Sequence, residues 1–276
     1  MAREKVKVAF QLAITFAVLL AFQPLPVHAA ATLIQQNSAT CILNDCTGAP
    51  PVVVSFPSSV AGGNVIVVGV VIRGGTGGLN SVSDSKGSTF TQAATRGGSV
   101  YIYVATLSSS GSDTVTVTFS GEWTEEVVYI YEVSGVTATG AGTGTGSGDG
   151  TSMSTSAVAF LSGAFLLGII GTGSATTTAG AGFTLSPAPS GTAMSHAEYS
   201  TSGVSSPTTF PATVAIETTW VEVGVALNPA AAPSVPVGGE IVSVNQFLVA
   251  LPWLALFAVL GVAVVGAYVV GQRKRK

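Results

Sequence analysis

Acidic side chains cluster around two tryptophans, and these clusters come closer to a catalytic pattern than any other residues of the chain. Their members are Glu122, Trp123, Glu125 and Glu126, and then Glu217, Trp220 and Glu222. A glycosidase needs two carboxylates placed on opposite sides of one bond. Glu125 and Glu126 are adjacent, so on a strand they point to opposite faces. The spacing does not favour glycoside hydrolysis.

A nucleophilic mechanism lacks its base. His196 is the one histidine outside the first 29 residues, and a serine or cysteine nucleophile depends on a placed base that is itself oriented by a third group. No such arrangement can be built around this imidazole. The sequence therefore predicts a protein that is not an enzyme, without catalytic residues and without an organic cofactor.

Aromatic and acidic side chains on the predicted strands and turns are candidates for binding. Tyr101 and Tyr103 share one strand face, as do Tyr129 and Tyr131, and an exposed tyrosine ladder could contact a glycan or another protein. Placement in the core is the alternative for all four. Asp84, in SDSKGSTF, could bind calcium, the only metal that the sequence suggests, or could accept hydrogen bonds within a turn.

Two cysteines, Cys41 and Cys46, lie in the short segment CILNDC. In an oxidising compartment such a pair is expected to form a disulfide. The loop that it closes is short, so the stabilisation is expected to be about 2 kcal/mol or less. The bond would fix an N-terminal turn and would not hold the domain together.

Hydrophobic periodicity predicts β-strands throughout the middle of the chain. The predicted strands are rich in β-branched and aromatic residues and are separated by Gly, Ser, Pro and Asn clusters. They cover residues 65–72, 99–107, 113–121, 125–135, 164–171 and 218–227. We expect an all-β fold over residues 30–230, an antiparallel two-layered sandwich of the jelly-roll type.

The chain also repeats itself weakly. Residues 60–71 correspond to 159–170, and residues 116–135 to 213–229, which places Trp123 and Trp220 at equivalent positions. This equivalence favours packing in the interior over stacking on sugars for both tryptophans. Each half looks incomplete, so the sequence predicts two halves of one sandwich; two tandem sandwiches are the alternative.

Residues 134–156 join the two halves. Gly, Ser and Thr supply 18 of these 23 residues, a composition with little apolar surface to offset the entropy lost on ordering. We expect a long mobile loop.

Both ends of the chain carry membrane signals. Three basic residues, the apolar run 8–22 and small residues near Ala29 predict a signal peptide over residues 1–29. After a linker, 231–246, the uncharged run 247–270 is long enough for a transmembrane helix. The basic tail that follows in residues 271–276 contains Arg273, Lys274, Arg275 and Lys276. Basic residues stay on the cytoplasmic side, so the ectodomain is expected outside the cell.

Charge narrows the partners of the ectodomain. Residues 30–246 contain three basic and twelve acidic residues, a net charge of about −9. Such a surface repels phosphate backbones, which argues against nucleic acid as a partner. The expected partners are the lipid bilayer, glycans and other surface proteins.

The order of motifs resembles a family of secreted and surface β-sandwich domains of bacteria, archaea and phages, related to concanavalin-like jelly rolls. The motifs that carry the resemblance are ATLIQQNSA (31–39), FPSSVAGGNVIVVGV (56–70), SVSDSKGSTFTQAA (81–94), DTVTVTFSG (113–121), VVYIYEVSGV (127–136) and TTWVEVGVALNPA (218–230). The segment 235–261 is similar to the C-terminal anchors of archaeal surface proteins. The resemblance implies a surface-displayed adhesion or ligand-binding module; a structural subunit of an envelope layer or filament is the alternative.

The topology can be tested with protease added to intact cells. Because the signal peptide, the apolar run and the basic tail agree, we expect removal of the ectodomain and a small membrane-bound C-terminal fragment. Replacing residues 273–276 with Gln should weaken orientation or retention. Protection of residues 30–230 in intact cells would contradict this topology.

Overall fold

The chain folds into β-strands wherever the structure, a computed structural model, describes it. The described residues are 30–42, 50–75, 77–121, 124–173, 176–189 and 194–231. They contain antiparallel strands and no helix, which confirms the all-β prediction. None of these segments forms a helix able to span a membrane. The predicted signal peptide, transmembrane helix and basic tail lie outside the described residues.

The described residues form fourteen strands, in the order β1 (Thr32–Ile42), β2 (Val52–Ser55), β3 (Val65–Arg73), β4 (Gly78–Asp84), β5 (Thr91–Arg96), β6 (Val100–Thr106), β7 (Thr114–Ser120), β8 (Glu125–Ser134), β9 (Gly142–Ser154), β10 (Phe165–Thr172), β11 (Thr177–Ala179), β12 (Thr184–Leu185), β13 (Ser195–Ser200) and β14 (Pro211–Leu227).

These strands form three sheets, which corrects the expected two-layered sandwich. One sheet has the order β1-β8-β3-β6-β5 and a second the order β2-β7-β4. The third has the order β11-β14-β10-β13-β12, with β9 also paired to β14. A register shift between Thr213 and Thr218 bends β14, so that its first part, with β11 and the end of β9, packs over β10. The third sheet thus supplies two layers by itself.

The two halves of the chain have the same topology. In the first half, β1–β8, an inner layer β5-β6-β3-β8-β1 packs on an outer layer β4-β7-β2. In the second half, β9–β14, the inner layer is β12-β13-β10-β14-β9 and the outer layer is β11-β14-β9, with β9 and β14 running through both. Each half therefore completes its own pair of layers. The two halves nevertheless share one hydrophobic core cluster, and residues 30–231 fall in one compact unit.

The two inner layers pack face to face, and we call this interface the seam. Its apolar side chains come from both halves, including Val67, Ile102 and Tyr131 from the first and Leu167 and Val225 from the second. Equivalent residues of β3 and β10 meet across it. A Cβ atom added at Gly69 would overlap the Ile169 side chain, and one added at Gly171 would lie 3.2 Å from Cγ1 of Val71. In each pair a glycine faces a branched residue, so the two sheets interlock.

The prediction of a mobile loop over residues 134–156 is wrong for most of that segment, because residues 142–154 form the 13-residue strand β9. Every second residue from Gly142 to Gly150 is glycine, and the glycine face lies against the returning chain and Trp220. A Cβ atom at Gly146 would overlap the Ser154 carbonyl oxygen. A strand face that another backbone approaches closely has room only for glycine, and on a strand this places a glycine at every second residue. The repeated glycines of this segment therefore indicate a strand and not a loop.

The interlock at the seam generates a stability prediction. Gly69→Val should lower the free energy of unfolding by about 1 to 3 kcal/mol, because the new side chain would overlap the fully buried Ile169. The double variant Gly69→Ile with Ile169→Gly moves the branched side chain to the opposite sheet and should recover much of the loss. Urea denaturation measures both variants. A Gly69→Val protein as stable as the parent would contradict this packing.

Candidate functional site

A cleft of about 430 Å³ opens at one end of the seam, where β3 and β10 finish. We call it the seam cleft. Backbone forms much of its wall, because many of its lining residues are glycines. These are Gly74, Gly75, Gly77, Gly97, Gly98 and Gly171. Arg73, Ser99, Thr219 and Trp220 contribute the principal side chains.

The tight turn between β5 and β6 forms one wall of the seam cleft. Gly97 and Gly98 connect β5 to β6 with φ of 63° and 67°, and two successive positive φ angles define the type I′ turn that matches the twist of paired strands. The Ser99 amide closes the turn by donating to the Arg96 carbonyl at 3.3 Å. The turn leaves backbone N–H and C=O groups beside the Ser99 hydroxyl, and these can bind a polar ligand.

The positive charge of Arg73 in the seam cleft is opposed by the neighbouring carboxyl group of Glu125. Arg73 on β3 is in register with Glu125 on β8, and its Nη1 donates to the Met194 carbonyl at 3.3 Å. Burial raises the pKa of Glu125, while Arg73, then the Ser195 hydroxyl and the Met194 backbone, act in the opposite direction. A cationic side chain beside a buried carboxyl suits a neutral ligand better than a polyanion.

Trp220 reaches the seam cleft with an edge, but most of its ring is interior. It is 7% exposed and packs with Met153, Ile170 and Val214. A Cβ atom at Gly148 would lie 3.2 Å from its Cζ2 atom, so β9 covers one ring face. The ring is therefore part of the core and not an open stacking platform.

The predicted equivalence of the two tryptophans does not hold in the strand register. Trp220 pairs with Thr172, and the corresponding pair of the first half is Ile72 with Glu126. Trp220 therefore occupies the position of Glu126. Trp123 lies outside the described residues.

Tyr129 and Tyr131 are buried in the seam, each 1% exposed, which corrects their candidacy as ligand contacts. The Tyr129 hydroxyl donates to the Ser195 carbonyl at 2.8 Å, and the Tyr131 hydroxyl is 2.8 Å from Oγ of Ser186. Burial raises the pKa of both phenols. Their hydroxyls join the first half to the second.

Tyr101 and Tyr103 lie half-buried on the face of β6 that points away from the seam, where a ligand could reach them. The Tyr101 hydroxyl donates to the Gly98 carbonyl at 2.7 Å, directly behind the seam-cleft turn. The Tyr103 hydroxyl donates to Oε1 of Gln92 at 3.0 Å. Both side chains brace the β5–β6 hairpin.

Asp84 and Cys41 occupy structural positions. Oδ1 of Asp84 accepts the amides of Lys86 at 3.1 Å and Ser88 at 2.8 Å, which closes a turn. Within the described ranges, no group of three or more His, Cys, Asp or Glu side chains could hold a metal. Cys41 is buried at the end of β1, and no described cysteine is free. Cys46 and residues 273–276 lie outside the described residues.

Sequence reasoning missed Arg73, Ser99 and Thr219, and with them the seam cleft. A signal was present: the tripeptide Arg-Gly-Gly occurs twice, at Arg73 directly after the predicted strand 65–72 and at Arg96 shortly before the predicted strand 99–107. Two glycine pairs next to predicted strands could have suggested a backbone-lined site.

Comparison of the chain with models of protein families, with curated protein sequences and with solved structures found no match. The fold and the seam cleft therefore provide the basis for a functional proposal.

Because Trp220 is largely interior, Trp220→Ala should lower the free energy of unfolding by about 3 to 5 kcal/mol, the usual cost of truncating a buried aromatic residue. Ile216→Ala on the same strand is the matched control. Ile216 is 71% exposed, and its replacement should change stability by no more than about 0.5 kcal/mol. Thermal melting distinguishes them, and a Trp220→Ala protein that melts with the parent would contradict the packing role.

Proposed function

We propose that this protein is a membrane-anchored cell-surface binding module that takes a neutral, hydroxyl-rich ligand, such as a glycan, in the seam cleft. The observation that carries the proposal is the cleft itself: a concave site of about 430 Å³ walled by backbone groups, two hydroxyl side chains and an aromatic edge. Ligand sites are typically concave and combine apolar walls with a few convergent polar groups.

The polar groups of the seam cleft match a polyol. Hydroxyl groups of a sugar both donate and accept hydrogen bonds, as do Ser99 and Thr219, while backbone amides and carbonyls offer one role each. Arg73 adds a donor whose charge faces Glu125. The acidic ectodomain, at about −9, would repel polyanionic ligands.

Placement outside the cell rests on the sequence. The signal peptide of residues 1–29, the transmembrane run 247–270 and the basic residues 273–276 support a single-pass protein with a cytoplasmic C-terminus. The resemblance to secreted jelly-roll domains fits this placement, and we propose that each half of the ectodomain is a jelly-roll-like sandwich. No residue is proposed as catalytic and no cofactor is required.

A structural role in an envelope layer or filament is the second candidate. It is favoured by the edge strands: among the described strands, β1, with 11 residues, pairs only with β8, and β9, with 13, pairs only with β14. Long sheet edges can accept a strand from another chain. Ordered self-assembly of the purified protein in the absence of glycan would favour this role.

Glycan binding can be tested on an array, with and without calcium. Ser99→Trp should fill the seam cleft from an external turn and reduce binding at least tenfold without lowering the melting temperature. Ser205→Trp, in a separate cleft at the start of β10, is the matched control and should bind as the parent does. Equal binding by the Ser99→Trp and parent proteins would reject the seam cleft, and absence of binding to any glycan would reject the glycan proposal.

A further inference from the structure

Two fully buried carboxyl groups meet between the inner and outer layers of the second half. Glu198 on β13 is in register with Gly168 of β10, Glu222 on β14 is in register with Ile170, and both are 0% exposed. A Cβ atom at Gly168 would lie 3.2 Å from Cγ of Glu198 and 3.3 Å from Oε1 of Glu222. The two side chains therefore converge over the space that this glycine leaves.

Hydrogen bonding leaves this pair largely unsatisfied. Oε2 of Glu198 accepts the Gly180 amide at 2.9 Å. The other three carboxyl oxygens have no hydrogen-bond partner among the described residues. An isolated buried charge is very unfavourable, and two carboxylates that share a buried site disfavour ionisation of both.

The first half shows that the fold does not require these carboxyls. By strand register, Gly168 corresponds to Val68, Glu198 to Tyr103 and Glu222 to Val128. Val68 and Val128 are fully buried and pack apolar surface in the same place. The acidic pair and the glycine between them are thus specific to the second half.

Few other charges face the pair. Among the described elements packed on this side, β10, β11, β12 and the connecting segments carry no titratable side chain. Asp149 of β9 is exposed and bonded to Thr219, and Glu217 of β14 is exposed. His196 lies two residues before Glu198 on β13. Ile170 of β10 pairs with His196 on one side and with Glu222 on the other. His196 is the one base on this face.

We propose that Glu198 and Glu222 together bind one proton, and that this proton keeps the outer layer of the second half closed over β10. With one proton the pair is a hydrogen-bonded acid and carboxylate. Without it, two like charges share a buried space and need water. The second half is then a proton-responsive element of the cell surface.

The segment that should open is residues 177–186, which covers the pair. It is tied down by the Gly180 amide on Glu198 and by Phe183, whose ring centroid lies 5.4 Å from that of Phe210. Its strands are short, three residues in β11 and two in β12. The Ser186 amide also donates to the Ala197 carbonyl at 2.8 Å, and the Tyr131 hydroxyl contacts Ser186. Opening is therefore expected to begin around Gly180, where the cover bonds directly to Glu198.

The pKa shifts agree in sign. Burial raises the pKa of Glu198 to about 7, against the Gly180 hydrogen bond, and burial and then Glu198 raise the pKa of Glu222 well above its ordinary value. Carboxyls of the unfolded chain ionise near 4.5. The protonated pair therefore contributes its full stabilisation below about pH 4.5. This stabilisation decreases as the pH rises and is lost once the pH passes about 7, where Glu198 ionises in the folded protein. Glu126, whose pKa burial raises to about 7, adds the same trend in the first half.

Hydrogen exchange on the full-length protein tests the proposal locally. After correction for intrinsic exchange, the opening equilibrium of residues 177–186 should rise by up to about tenfold per pH unit from about pH 4.5 to about pH 7 and level off above it, because above about pH 7 the closed pair has lost its proton as well. The double variant Glu198→Gln with Glu222→Gln should remove this dependence. Glu217→Gln and Glu126→Gln are controls that should retain it. Unchanged pH dependence in the double variant would overturn the proposal.

Two further measurements keep the test decisive if the double variant folds poorly. The triple variant Gly168→Val, Glu198→Tyr and Glu222→Val installs the packing of the first half and should likewise exchange independently of pH. Infrared spectroscopy of the parent at neutral pH should show a buried protonated carboxyl, and its absence would refute proton sharing. Closure of residues 177–186 by calcium or magnesium at about pH 8 would identify a cation site instead.

Discussion

Packing of two inner layers against each other at the seam is the constraint on which the rest of the structure depends. Strands β3, β8 and β10 are buried on both faces, one in the seam and one against their own outer layer. They consequently read as almost unbroken apolar runs. Polar groups that enter this four-layered interior must find partners or lose charge. The seam cleft forms at the end of the seam, between the glycines that follow β3, the glycine turn that joins β5 to β6, and Gly171 near the end of β10.

The same runs explain what the sequence could and could not predict. VIVVGVVI on β3 and FLLGIIGT on β10 identified strands correctly, because β-branched residues between glycine clusters have few alternatives. Their lack of alternation also meant burial on both faces, and a two-layered sandwich offers each strand only one covered face. The layer count was thus wrong although its signal was present. Completion of each half depends on the register of distant strands, which no local pattern reports.

Glycine misled the prediction for β9 and concealed the candidate site. Composition alone indicates a loop for GTGTGSGDG, whereas its period of two indicates a strand with one face of bare backbone. Gly97 and Gly171 come from different halves and line the same cleft only because the seam is formed. Tyr129 and Tyr131 show the converse, since their shared strand face was predicted but its burial depended on the second half.

Differences between the two halves indicate where specific chemistry has been placed. Both seam faces are apolar, but equivalent positions behind them exchange character. Glu132 is buried and accepts hydrogen bonds from Gln35, Ala61 and Asn64, whereas Ala226 takes its place in the second half. Glu222, which has no such donor among the described residues, has Val128 as its counterpart. The three donors to Glu132 fix the loop at Ala61 and Asn64, while burial without such donors raises the pKa of Glu222. Buried acids of the same type therefore serve as a rigid tie in one half and as a titratable contact in the other.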